Sequence, residues 1–105
     1  MTADRDILAG LRPNYLVRLD ARISRLRAFA EVLGRGPLQP QEHDELNRAA
    51  HSMASSAAVF GYAGLSAAAR AAEETFEQPT IDPAWQRASL LRLLAEAERV
   101  LASGP

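Results

Sequence analysis

His51 is the side chain whose setting points most directly to chemistry. Around it Leu46, Ala50, Met53, Ala57 and Phe60 recur at helical spacing, a stripe spanning about 80° on a wheel of about 100° per residue. His51 lies about 120° or more from the centre of that stripe, grouped with Asn47, Arg48, Ala54, Ser55 and Ala58. It is therefore not expected to be a core histidine. Ala54, Ser55 and Ala58 are small, where a solvent-facing helix would ordinarily carry long charged side chains. An imidazole standing above a small-residue surface fits a place where another protein docks closely.

The next helix adds a carboxylate. Phe60-Gly61-Tyr62 reads as a tight turn between antiparallel helices, in which residues equidistant from the turn sit level. His51 is eleven residues before Tyr62 and Glu73 eleven after it, so the two are expected to face each other. By the same count Arg70 is level with Ala54, and Arg48 lies one turn before His51. A carboxylate accepting a hydrogen bond from Nδ1–H fixes the imidazole tautomer and leaves Nε2 as a free nucleophile. A nearby arginine can neutralise charge arriving on Nε2.

These residues need elements to position them, and the punctuation supplies four. Gly34, Gly36, Pro37 and Pro40 form one breaker cluster, Gly61 and Gly64 a second, Pro79 to Pro83 a third. Between them the apolar period is helical, and no stretch sustains the alternation of a strand. The first helix is read from about Pro13 to Gly34, with Tyr15, Leu19, Ile23, Leu26, Ala30 and Leu33 inward and a short lead-in helix, Arg5 to Leu11, before it. The second starts near Pro40. The third runs from about Tyr62 to Glu77 with Leu65, Ala68, Ala69, Ala72 and Phe76 inward. The fourth opens at Asp82-Pro83, an N-cap followed by proline, and carries Leu90, Leu91, Leu94, Ala97 and Leu101 before ending in Ser103-Gly104-Pro105. Trp85 is read as core. The expected fold is all-α, an antiparallel four-helix bundle with a short N-terminal lead-in helix, forming one domain over residues 1–105.

Composition narrows the function classes. The chain has 105 residues, 48% apolar and 24% charged, and a net charge of −1, which argues against a nucleic-acid binder. All 12 basic residues are arginine, and with no cysteine there is neither a disulfide framework nor a thiolate metal site. No apolar run approaches the ~18–20 residues that span a bilayer, and the start, MTADRDILAG, is not laid out as a signal peptide. His43, in the acidic first turn of the second helix, reads as a solvated residue, two turns from His51 and so outside the usual metal spacing. No metal and no cofactor is expected. Arg18, Arg22 and Arg25 read most simply as a solvated stripe, and Glu74 and Glu77 as a polar face. Tyr62 either edges the docking surface or staples the turn. Nothing resembles a nucleotide-binding Gly-rich loop, so the chain is not expected to phosphorylate itself from ATP.

The stretch Ala50 to Glu73, AHSMASSAAVFGYAGLSAAARAAE, resembles the signature of histidine-containing phosphotransfer (HPt) domains, most closely the phosphoacceptor domain of chemotaxis-type histidine kinases. The features that match are the Ala-His pair, Met53, the small residues Ser55, Ser56 and Ala57, the Phe60-Gly61-Tyr62 turn, Leu65 and Glu73. Two positions depart: the family usually has Lys then Gly, three and four residues after the histidine, where this chain has Ala54 and Ser55. The resemblance implies that His51 is a phosphoacceptor and Glu73 the group that orients it; where the chain departs from the family, Arg70, level with Ala54, or Arg48 is expected to supply the charge that Ala54 lacks. Asn47, Ala54, Ser55, Ala58 and Tyr62 are the expected docking residues.

The function so implied is a phosphorelay intermediate of bacterial two-component signalling. It is cytoplasmic, monomeric and not an enzyme, exchanging phosphate with a response-regulator receiver domain, a histidine kinase, or both, with neither nucleic acid nor membrane as partner. The alternatives are a helical adaptor that docks a receiver or kinase without carrying phosphate, and a phosphoacceptor domain of a larger kinase. The initiating Met1 and short tails favour a stand-alone protein.

Overall fold

Each helix begins and ends where local chemistry satisfies its free backbone groups. The computed structural model describes residues 2–78 and 82–104, with side chains from residue 7 onward. Among these residues there are four helices and no strand: α1 (Thr2–Leu33), α2 (Pro40–Val59), α3 (Ala63–Phe76) and α4 (Pro83–Ser103). Pro40 opens α2, and the backbone N–H of Gln39 donates to Glu42 Oε1 at 2.9 Å. Asp82 caps α4, its Oδ1 accepting from the Ala84 N–H at 2.9 Å, with Pro83 in the first turn. Pro79 to Ile81 in the third breaker cluster, and Pro105, lie outside the described residues.

The turn between α2 and α3 is a Schellman motif. Gly61 takes a φ of 82°, its N–H donating to Ala58 O at 3.1 Å while the Tyr62 N–H donates to Ala57 O at 2.8 Å. A side chain at that φ would meet its own backbone, which is why glycine stands there. Tyr15 of α1 stacks on Phe60 and Tyr62, ring centroids 4.5 and 5.8 Å apart, and Arg12 lies over the Tyr62 ring. The turn is thereby fastened to α1.

The helices run up-down-up-down. α2 packs chiefly on α3, α3 on α4, and α4 on α1, while α1 and α2 touch least. The core is formed by Leu19, Ile23, Leu26, Phe29 and Leu33 of α1, Leu46, Met53 and Ala57 of α2, Leu65, Ala69 and Phe76 of α3, and Leu90, Leu93 and Ala97 of α4. At the lower end Arg87 Nε donates to the Ala30 carbonyl at 3.1 Å, tying α4 to the last turn of α1.

Three expectations need correction. The separate lead-in helix does not exist, because α1 runs unbroken from Thr2 through Pro13. A proline inside a helix removes one N–H donor, and the helix-favouring Ile7, Leu8, Ala9, Leu11 and Arg12 ahead of it carry the helix across. The 32 residues of α1 make about 48 Å of helix, matching the 47 Å long axis. Its first turns therefore project beyond the shorter helices, leaving Ile7 and Leu11 exposed. Trp85 is not core but 71% exposed, and Leu91 also faces out. The inward stripe of α4 is Gln86, Leu90, Leu93, Leu94, Ala97 and Val100, and continued backwards it lands on Gln86.

Candidate functional site

His51 stands on the outer face of α2, with 70% of its side chain exposed. α3 brings Glu73 alongside, and Glu73 Oε2 lies 2.6 Å from His51 Nδ1. An ionised carboxylate can only accept, so Nδ1 is the donor, and a neutral ring then has its lone pair on Nε2. Glu73 itself is mostly covered, 21% exposed, so the solvent-facing partner of the pair is the ring. The outcome is an oriented, accessible imidazole nitrogen.

The register of this pair is held from below. Ser66 of α3 is buried, and its Oγ donates to the Ala54 carbonyl at 2.8 Å. With alanines and serine at the contact, α3 comes close to α2, and a carboxylate side chain spans the remaining gap. Sequence reading passed over Ser66. The signal available was a hydroxyl at an inward position of an alanine-rich helix.

The other candidate residues divide. Ser55 and Ala58 are exposed on the face of His51, as is the apolar Val59. Asn47 is half-buried, and its Oδ1 has no hydrogen-bond partner. Arg48 is exposed beside Gln41, Asp44 and Glu45, and Arg70 is exposed along a shallow hollow with Ala58, Ser66 and Ala67. Among the described residues neither arginine is in an ion pair.

Two expected docking residues are not on the surface as read. Ala54 is 4% exposed and belongs to the core. The buried arc of α2 is wider than the stripe of large residues, because the close approach of α3 covers this position too. Tyr62 is half-buried in the stack with Tyr15 and otherwise lines a hollow toward α4 with Gly64, Glu96 and Val100. It staples the turn rather than flanking the imidazole.

The arginine row of α1 is also not uniform. Arg25 pairs with Glu45 through two hydrogen bonds of 2.6 and 2.8 Å. Its guanidinium holds the Glu45 carboxyl below its ordinary value through those bonds. Arg18 and Arg22 instead line a cleft between α1 and α2. His43 is half-buried away from any cluster of ligating side chains among the described residues.

The family model of the Hpt domain matches residues 10–102 of the chain. Comparison with curated proteins and with solved structures gave no match.

Proposed function

The chain belongs to the Hpt domain family, whose members carry phosphoryl groups on histidine in two-component phosphorelays, and we propose that His51 is its phosphoacceptor. Nε2 attacks the phosphorus of a phospho-aspartyl receiver or of a phosphorylated kinase histidine. The new P–Nε2 bond forms as the donor's P–O or P–N bond breaks, and the electron pair leaves with the donor group. The ring retains its Nδ1–H and becomes cationic, and Glu73 accepts that hydrogen bond and balances the charge. Onward transfer runs the same exchange in reverse, with a receiver aspartate as nucleophile. The receiver supplies the Mg²⁺ and the acidic pocket; this chain supplies an oriented nitrogen and a low surface.

The observation that carries the proposal is the exposed imidazole held through Nδ1 by Glu73 at 2.6 Å. Ser55, Ala58 and Val59 form the platform on which a receiver lies, with Arg48 and Arg70 as charge partners for the phosphoryl group. Docking is by one copy of the chain, transient and in the cytoplasm with its partners. Incubation with a phosphorylated receiver or a cognate kinase is expected to leave acid-labile, base-stable label on the wild type and none on His51→Gln. Absence of label with every donor would favour a second reading, an adaptor that docks without carrying phosphate. The observation favouring that reading is the buried Ala54 in place of a cation.

A further inference from the structure

The cleft between α1 and α2 lies on the flank of α2 turned away from Glu73. It forms where the bundle is most loosely closed, since these two helices touch least. Its volume is about 140 Å³, and it is lined by Tyr15, Arg18, Leu19 and Arg22 of α1 and Ser52, Met53, Ser56 and Phe60 of α2. That volume is roughly ten times the ~10–15 Å³ needed for one water.

Its polar groups are unusually one-sided. Two arginines line it and no acidic residue does. Among the described residues neither Arg18 nor Arg22 has an ion-pair partner, whereas Arg25 of the same row is taken by Glu45. At the inner wall stands Tyr15, only 6% exposed, its hydroxyl buried beside that of Ser56. Ser52 also lines the cleft, and its hydroxyl is a further donor there. The floor of Leu19, Met53 and Phe60 is apolar, which strengthens charge-assisted bonds made above it.

We propose that this cleft is an oxyanion site for a phosphate-type dianion. Two guanidinium forks match its charge and can bind its oxygens in pairs. Donors arrive from Arg18 and Arg22 of α1 and from Ser52 of α2, an arrangement that a tetrahedral group uses more fully than a planar carboxylate. An anion there bridges the least-contacting helix pair and so tightens α1 against α2. The site is independent of phosphate on His51.

The test is titration of the full chain with inorganic phosphate, followed by amide chemical shifts at constant ionic strength with chloride as reference. Saturable shifts are expected over Tyr15–Arg22 and Ser52–Ser56. The double variant Arg18→Gln/Arg22→Gln loses them. The proposal is overturned if the shifts do not saturate, if they spread equally to Arg27, Arg70 and Arg92, or if the double variant binds like the wild type. The same titration on His51→Gln separates the two sites: shifts that vanish with the imidazole also overturn it.

Discussion

Glu73 approaches His51 from the neighbouring helix, its Oε2 2.6 Å from Nδ1, while the ring stays largely exposed. The carboxylate is thus a handle on the inner edge of a ring whose outer edge is free. Replacing it tests what the handle does. Glu73→Ala is expected to slow single-turnover phosphotransfer about tenfold or more, the effect of one charge-assisted hydrogen bond. Glu73→Gln retains an acceptor oxygen and keeps most of the rate. Equal rates in wild type and Glu73→Ala would show that orientation of the ring does not matter.

Arg48, one turn before His51 on α2, and Arg70 of α3 are exposed, and among the described residues neither is in an ion pair. Each to alanine is expected to lower the transfer rate several-fold, and the pair more than either, with little change in melting temperature because both are exposed. If both single variants and the double variant transfer phosphate at the wild-type rate, neither is the charge partner.

Ala54 occupies the place where the family usually has lysine, yet it is buried. Ala54→Lys is therefore expected to destabilise the bundle by about 1–3 kcal/mol through overpacking against α3 rather than to improve transfer. Urea denaturation measures the cost, and a variant as stable as wild type with faster transfer contradicts it.

Ser55 faces solvent beside the ring. Ser55→Arg should leave the far-ultraviolet circular dichroism and melting temperature unchanged while abolishing most transfer from a phosphorylated receiver. Full transfer by this variant would remove Ser55 from the docking surface.

Tyr15 gives a pH prediction. Burial pushes its phenol above the ordinary value of 10.0, opposed by the neighbouring Ser56 hydroxyl. A phenol raised in the folded state ionises first in the unfolded chain, so its contribution is intact below about pH 10 and is lost as pH rises beyond it. Urea midpoints of the wild type should fall more steeply above that pH than those of Tyr15→Phe. Parallel alkaline limbs would mean the phenol is not the titrating group.

The pairing of His51 with Glu73 was legible because a tight hairpin has one free parameter, the position of its turn, and Gly61 marks it. Helix ends at Asp82-Pro83 and Pro40 were legible for a similar reason, since caps are local. Burial on the edge of a stripe was not. Whether Ala54 is covered depends on how near α3 comes, and that distance is set by Ser66, another part of the sequence. Trp85 misled because residue type was weighed above register: one position further on, Gln86 takes the inward place. Pro13 misled because proline is favoured in a first turn, whereas here it stands within a long helix at the loss of one hydrogen bond. The cleft arginines were the hardest to read, because Arg18 and Arg22 differ from Arg25 only in what α2 places opposite them.

The Schellman turn at Gly61 has a consequence for how this site can change. It contributes no atom to the imidazole pair, yet it indexes one helix against the other. One residue added there would rotate Glu73 by about 100° and slide it about 1.5 Å along α3, out of reach of Nδ1. The same insertion between α3 and α4 would leave both partners where they are. The chemistry of the pair is therefore written less in the two side chains than in the fixed length of chain between them.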